Sequence, residues 1–157
     1  LRELSPAIVT AVAPRPSARE LALELGATHA VDPADDAERV IRDITRGRGA
    51  DVVVDLVGSD DTLALAASIA RPLGDLAIVG IAGGQLPIGF FTIGYEVSVA
   101  TTYWGSQTEL MDVLALARDG RVRSHVSTYD LSDAADAYAA MRDGSLEGRA
   151  VIVPSGA

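Results

Sequence analysis

Five short segments of the chain place small, charged or aromatic residues directly after apolar runs, where ligand chemistry is easiest to build. They are residues 13–15, 32, 57–59, 80–84 and 102–105. Three of the five carry glycine, which lets the backbone approach a flat ligand closely. If the apolar runs are parallel strands, their carboxyl ends meet at one edge of a sheet, which is where such sheets bind ligands. The pattern therefore predicts a binding site at that edge.

No set of side chains suited to covalent or acid–base catalysis stands out in this sequence. The two histidines, His29 and His125, are expected to be structural or surface residues, because no nucleophile–base set stands out around them. Tyr103 and Trp104 follow an apolar run, and both aromatic packing and a ligand-facing role stay open for them. The chain has no cysteine, which excludes disulfides and thiolate zinc sites within it. We therefore predict no catalytic residue and no metal ligand here.

The elements that would carry these segments alternate between strand and helix. Apolar, β-branched runs bounded by turn residues predict strands over residues 7–12, 28–31, 50–58, 76–81, 97–104 and 150–154. The run over 50–58 is continuously apolar, as a strand covered on both faces should be. Because strand and helix alternate, we predict parallel βαβ units in one doubly wound, Rossmann-like α/β sheet, a single domain over residues 1–157.

Two serines have the form of helix-capping residues. Ser17 precedes Glu20 by three positions, and Ser106 precedes Glu109 by three, so each pair predicts a capping box at the start of a helix. Gly26 is placed to end the first of these helices, because glycine adopts the backbone conformation that follows a last helical turn.

The composition favours a cytoplasmic globular protein. With 157 residues, 48% of them apolar and 22% charged, the chain can form one domain with a full core. The net charge of −9 argues against a nucleic-acid partner and is most simply a solvated surface. No apolar run approaches the roughly 18 residues of a membrane span, and no secretory signal is recognisable, so neither a membrane partner nor export is expected.

Taken together, five stretches resemble one family. They are LALELGATHAVDP, GRGADVVVDLVGS, RPLGDLAIVGI, YWGSQTELMDVLALARDGRV and LEGRAVIVP. In this order they resemble the C-terminal cofactor domain of zinc-dependent medium-chain alcohol dehydrogenases, above all the bacterial secondary-alcohol enzymes. The resemblance extends from about Ala7 to Pro154. It implies a parent protein that transfers hydride between an alcohol and NAD(P), giving an aldehyde or ketone.

The resemblance also implies which residues bind the dinucleotide. By position these are Ala13 and Arg15 at the adenine ribose, Val57 and Gly58 beside adenosine, Val79, Gly80 and Ile81 at the nicotinamide ring, Thr102 and Trp104 at its carboxamide, and Arg149 at the pyrophosphate. It further implies a homodimer that forms through the edge region 88–103, which holds both phenylalanines.

Ala13 bears on which dinucleotide is bound. The family usually has an acidic residue there, which accepts hydrogen bonds from the ribose hydroxyls and repels a 2′-phosphate. Alanine removes that carboxylate, and Arg15, with Ser17 and Arg19 nearby, favours a phosphorylated ribose by charge. We therefore expect a slight preference for NADP over NAD. The alternative is that selection has relaxed because the chain binds neither.

Two parts of the family pattern have no counterpart in this chain. One is the first cofactor strand with its G-x-G-x-x-G loop, of which only Leu1 to Leu4 resembles the end of the helix that follows. The other is the N-terminal catalytic domain with its zinc ligands. Without zinc nothing polarises an alcohol, so we expect the chain alone to be inactive, and zinc only in that other domain. Strands beside the lacking one should be partly unpaired.

Two further hypotheses stay open from the sequence. The chain could be a non-catalytic association module, a truncated paralogue that has lost cofactor binding. It could also belong to the zinc-free quinone reductases, which share this fold, although YWGSQTELMDV is more similar to the zinc branch.

Overall fold

The structure, a computed structural model, describes residues 4–154, so most of the helix end predicted over Leu1 to Leu4 lies outside the described residues. Its strands are β1 Thr10–Val12, β2 His29–Val31, β3 Ala50–Asp55, β4 Ala70–Ile78, β5 Ser98–Thr101, β6 Val126–Asp130 and β7 Arg149–Val153. Its α-helices are α1 Pro16–Glu24, α2 Ala37–Ile44, α3 Asp60–Ile69, α4 Gln107–Arg118 and α5 Ala134–Asp143. Short 3-10 helices cover Pro33–Asp35 and Leu131–Asp133. The chain divides into two compact units, Leu1–Ser106 and Gln107–Ala157.

The first unit contains two parallel sheets. In one, β1 pairs with β2 so that Thr10 lies opposite His29. In the other, β4 lies between β3 and β5 and is parallel to both. Among the described residues every strand pairing is parallel, and a helix connects each successive pair of strands except β4 and β5, so the predicted parallel α/β class is confirmed.

The best-buried residues of the first unit lie on its central strand and on two helices. Leu76 of β4 is almost fully buried, which is worth about 2 kcal/mol or more relative to exposure. Helix α3 buries residues three and four positions apart, as an amphipathic helix does, and these are Leu63, Ala66, Ala67 and Ile69. Helix α2 adds Ile41 and contacts α3.

Strand β3 departs from the prediction that it would be covered on both faces. Val52 is 56% exposed and Val54 is exposed as well. Within residues 4–154, β3 pairs only with β4 and β1 only with β2, so each has an open edge. That these edges lie beside the lacking strand stays a prediction. The apolar run therefore predicted the strand correctly, but it did not show that one face of the strand is exposed.

The start of α1 also differs from the prediction. Pro16 is the first helical residue, and the N-cap is Arg15, whose side chain makes no capping hydrogen bond. Proline suits the first helical position because it has no amide hydrogen to leave unsatisfied. This places Ser17 inside the helix, so the capping box predicted for Ser17 and Glu20 is wrong. The predicted end at Gly26 is confirmed, since the last helical residue is Glu24 and Gly26 has φ +97°.

The second unit pairs β6 with β7 in parallel, with Val126 opposite Arg149 and Asp130 opposite Val153. Strand β6 was not predicted, because its five residues alternate too briefly to stand out. Gly148 has φ +74°, and a Cβ there would lie 2.2 Å from the carbonyl oxygen of His125, so this turn requires glycine. The predicted single domain over both units stays a prediction.

Candidate functional site

The ends of β3 and β4 are joined by backbone hydrogen bonds into what we call the strand-end junction, residues 55–60 and 79–85. The carbonyl oxygen of Asp55 accepts from the amides of Val79 at 2.8 Å and Gly80 at 3.0 Å. Farther along, the carbonyl of Val57 accepts from Ala82, and that of Gly58 accepts from Gly84. The segments that follow two neighbouring strands are thus held side by side, as the strand-end rule predicts.

A buried carboxylate organises one side of this junction. Asp55 is 7% exposed, and its Oδ1 accepts from the amides of Val57 at 2.8 Å and Gly58 at 3.0 Å. Its Oδ2 accepts from the Thr62 hydroxyl at 2.9 Å. Burying a carboxylate is costly unless donors satisfy it, and here three do. The sequence did not reveal the partner of Asp55. In the structure its carboxylate binds groups of the turn that follows β3 and of the first turn of α3.

Helix α3 begins at this turn with a reciprocal cap. The Ser59 hydroxyl accepts from the Thr62 amide, and the Thr62 hydroxyl accepts from the Ser59 amide at 3.0 Å. The carboxylate of Asp60 reaches across the junction and accepts from the Gln85 amide at 2.7 Å. Sequence analysis missed this capping box because it searched for glutamate at the third helical position, where threonine stands instead.

The glycines of the junction allow its two segments to touch. A Cβ on Gly58 would lie 2.4 Å from the carbonyl oxygen of Gly80, and a Cβ on Gly80 would lie 2.0 Å from the carbonyl carbon of Val57. Gly84 is equally close to the backbone of Ser59. These glycines serve backbone-to-backbone contact, so their clustering has a structural cause in addition to any ligand.

A cleft of about 410 Å³ opens beside the junction. Its walls come from the ends of β3, β4 and β5 and from the segment after β4, and include Gly58, Ile78, Gly80, Ile81, Val99 and Thr101. The amide of Thr102 donates to the Ile78 carbonyl at 2.9 Å, which extends the β4–β5 ladder to the cleft edge. The volume lies within the usual range for small-molecule sites, and the walls are apolar side chains with exposed backbone. Such walls fit a flat ring.

The structure brings most of the sequence-predicted residues to this edge. Val57, Gly58, Val79 and Gly80 belong to the junction, while Ile81, 94% exposed, lines the cleft. Thr102 follows directly after β5.

Trp104 lies just beyond β5 and is exposed. Its ring packs edge-to-face on Tyr103, with centroids 5.6 Å apart. Its φ of +56° is in the left-handed region, which is uncommon for a non-glycine residue. The two rings therefore pack on each other, while a ligand-facing role for either stays a prediction.

The turn after β1 is held by one arginine. Nη1 of Arg19 donates to the carbonyl oxygens of Ala13 at 2.7 Å and Pro14 at 2.8 Å, and lies 2.8 Å from Oδ2 of Asp32. The two side chains are only 20% and 24% exposed. The sequence predicted that Arg19 adds positive charge at this turn, and Asp32 offsets that charge. The preference for NADP stays a prediction.

Three predicted positions lie outside the β3–β4–β5 sheet. Ala13 and Arg15 follow β1, in the other sheet of the first unit. Arg149 is the first residue of β7 in the second unit, and its amide donates to the His125 carbonyl at 2.9 Å. Their cofactor roles stay predictions.

The described residues were expected to hold neither a metal site nor a membrane span. Residues 4–154 contain no cluster of three or more histidine, aspartate or glutamate side chains able to hold a metal ion. Within the same range, none of the helices combines the length and apolar character needed to cross a membrane.

Comparison with known proteins gives one consistent family. Residues 5–119 match the family model of zinc-binding dehydrogenases. The NAD-dependent alcohol dehydrogenase of Sulfurisphaera tokodaii is 31% identical, over 98% of this chain and 45% of that protein. The D-arabinose 1-dehydrogenase (NADP(+)) of Saccharolobus solfataricus is 31% identical, over 87% of this chain and 39% of that protein.

A solved structure agrees with these relatives. The alcohol dehydrogenase of Aeropyrum pernix has a TM-score of 0.89 and 34% identity, over 98% of this chain and 45% of that one. The chain thus spans less than half the length of the proteins it matches.

Proposed function

The chain belongs to the zinc-binding dehydrogenase family, and from this membership we propose that it is the cofactor-binding part of an NAD(P)-dependent alcohol dehydrogenase. The parent reaction is hydride transfer between an alcohol and its aldehyde or ketone. The cleft beside the strand-end junction carries the proposal, because it gathers exposed backbone and apolar walls at the carboxyl ends of parallel strands. The relatives at 31–34% identity, which are alcohol and sugar dehydrogenases by name, favour this over the quinone-reductase hypothesis.

In this proposal the chain's own residues bind and orient the dinucleotide. Val57 and Gly58 border the adenosine, and Val79, Gly80 and Ile81 flank the nicotinamide ring. Thr102 and Trp104 hold the carboxamide through backbone groups, and Arg149 reaches the pyrophosphate. The nicotinamide, when bound, takes up or releases the hydride. The Asp55 network contributes by fixing the turn of Val57 and Gly58 before the ligand arrives.

Zinc does not fit the described part of this chain, which offers no cluster of ligands for it. We propose that the zinc of the parent protein is held by residues outside this chain, and that the chain alone does not oxidise alcohols. No catalytic step is assigned to its residues.

For the dinucleotide itself we propose a slight preference for NADP. Ala13 offers no carboxylate to the ribose, and Arg15 stands at the end of the same turn. Relatives named for NAD and for NADP(+) both occur at 31% identity, so the choice rests on these local charges.

Titration of the chain with NADPH and then with NADH tests the binding function. Binding is detected by calorimetry and by the fluorescence of Trp104, the one tryptophan of the chain. Ile81→Glu places a negative charge on an exposed cleft residue and should weaken binding of both nucleotides about tenfold. Leu131→Glu, at an exposed leucine of the second unit, is the matched control and should bind as the unmodified chain does. Saturable binding with this pattern supports the proposal. Absence of saturable binding for both nucleotides overturns it and favours the association module.

A second proposal concerns self-association, a homodimer through region 88–103. Phe90 packs edge-to-face on Phe91 at 5.0 Å and on Tyr95 at 5.9 Å between ring centroids, and all three rings are exposed. Strand β5, in the same region, pairs only with β4 among the described residues. Exposed aromatic surface near an open strand edge is typical of association sites.

Light scattering after size exclusion tests the dimer. Phe91→Ser should convert a dimer to a monomer, whereas Tyr138→Ser, at an exposed tyrosine of α5, should leave the dimer intact. A chain that is monomeric at high concentration overturns this proposal.

A further inference from the structure

The ion pair between Arg19 and Asp32 lies at the residue proposed to face the adenine ribose. Arg19 extends from the first turn of α1 back to the end of β1, where its Nη1 donates to the Ala13 carbonyl at 2.7 Å. The same nitrogen is 2.8 Å from Asp32 Oδ2, which follows β2. The parallel pairing of β1 with β2, which sets Val12 opposite Val31, brings the two residues to the same edge. The strand pairing thus positions Asp32, and the bonds to the Ala13 and Pro14 carbonyls position Arg19 beside it.

This pair differs from the ion pairs on the open surface. Arg19 and Asp32 are 20% and 24% exposed, whereas Arg39 and Asp43 of α2, 3.2 Å apart, are 64% and 70% exposed. Charges that are partly shielded from water act on neighbours more strongly and over longer distances than solvated charges do. A phosphate group entering beside Ala13 would therefore respond to any imbalance between Arg19 and Asp32.

We propose that the Arg19–Asp32 pair is specificity-determining for the dinucleotide, Arg19 favouring and Asp32 opposing a 2′-phosphate on the ribose. The inference rests on the proposed cofactor function. While the pair is intact the two charges nearly cancel, which leaves the preference to Arg15 and makes it slight. Asp32 stands in for the carboxylate that Ala13 lacks, and Arg19 masks it.

Removing one partner at a time should move the preference in opposite directions. Arg19→Met exposes the Asp32 carboxylate, so the affinity for NADPH relative to NADH should fall about tenfold. Asp32→Asn leaves the charge of Arg19 uncompensated and keeps an oxygen that can accept from the Ala34 amide, so the ratio should rise several-fold. The double variant Arg19→Met with Asp32→Asn should return the ratio close to its starting value.

Calorimetric dissociation constants for NADPH and NADH give the ratio directly, with Arg39→Met as the matched control that removes an exposed arginine from an ion pair elsewhere. Opposite shifts in the two single variants, with no shift in the control, support the inference. If the two nucleotides bind and neither single variant changes the ratio, the inference is overturned while the cofactor function stands.

If Arg19→Met fails to fold, Asp32→Asn decides alone, because an unchanged ratio in that variant contradicts the role of the pair. If the unmodified chain binds neither nucleotide, the proposed function fails, and this inference fails with it.

Discussion

Two strand-to-helix turns of the first unit, those after β3 and after β1, are held by side chains of opposite charge. After β3, the buried carboxylate of Asp55, on the preceding strand, accepts hydrogen bonds from backbone amides. After β1, the half-buried guanidinium of Arg19, on the following helix, donates to backbone carbonyls. The same task, fixing a turn at a strand end, is solved once by an anion and once by a cation.

Proline explains the difference. Pro14 and Pro16 have no amide hydrogen, and the Ala13 amide already donates to the Val31 carbonyl at 3.1 Å. An anion would therefore find few donors at this turn, while carbonyl oxygens remain for a cation. In the β3 turn the amides of Val57 and Gly58 are available, and a carboxylate takes them. The backbone composition of a turn thus selects the sign of the side chain that can hold it.

The largest expected effect tests the packing on which the β3 turn depends. Gly80→Ala places a Cβ 2.0 Å from the Val57 carbonyl carbon, so the strand-end junction must open, and we expect a loss of more than about 3 kcal/mol in the free energy of unfolding. Gly83→Ala is the control in the same segment; it meets no atom within 4 Å and should cost only about 1 kcal/mol, because its φ is +88°. Urea denaturation measures both, and equal losses would contradict the close-contact role of Gly80.

The next effect concerns the anion itself. Asp55→Ala leaves the amides of Val57 and Gly58 and the Thr62 hydroxyl without their acceptor, which should cost about 2–4 kcal/mol. Asp55→Asn keeps one oxygen for the amides and should cost less. Thermal unfolding followed by circular dichroism ranks the three chains; an asparagine variant as unstable as the alanine variant would show that the charge, not the acceptor count, matters.

A smaller and salt-dependent effect is expected at the cation. Arg19→Met removes the bonds to Ala13 and Pro14 and the pair with Asp32, for a loss of about 1–2 kcal/mol at low salt. Arg19 is partly exposed, and in 1 M salt charges are screened over a distance of about 3 Å. Part of the loss in stability should therefore disappear in 1 M salt. The loss caused by Asp55→Ala should not change. If salt reduces both losses equally, the contrast between the two turns is broken.

The smallest expected change in stability concerns the exposed ion pair of Arg71 and Asp51, with which the two turns can be compared. Arg71 donates through Nε to Asp51, and this hydrogen bond lowers the pKa of the Asp51 carboxyl below its ordinary value of 3.8. A lowered pKa in the folded chain stabilises it above the unfolded pKa, and that contribution is lost as the pH falls through the folded value. Asp51→Asn should therefore be slightly less stable than the unmodified chain at pH 6 and equal to it near pH 2. Urea midpoints at the two pH values measure this; a difference that persists in acid would contradict it.

Sequence patterns predicted the elements better than the contacts between them. The five stretches identified the family correctly, and the strand-end rule correctly brought Val57 and Gly58 to Gly80 and Ile81. Strand β6 escaped notice because a five-residue strand with one polar face carries little periodic signal.

The side chains that hold the turns could not be predicted, for a physical reason. The partner of Arg19 depends on the register of β1 against β2, and the partners of Asp55 depend on how the backbone turns after β3. Both are properties of the folded backbone, whereas hydrophobic periodicity reports only which face is buried. A local signal could have predicted the charge of the side chain that holds each turn. Prolines remove backbone amide donors from a turn, whereas glycines keep them.

The open edge of β3 has a consequence for the chain in concentrated solution. Val52 and Val54 lie exposed along a strand that pairs only with β4 among the described residues, and such an edge can template the addition of further extended segments. We expect colloidal behaviour to follow from it: light scattering that grows with concentration at temperatures where the helices are still intact. In that case growth from this one row of valines, and not loss of the helices, limits how long the chain can be stored.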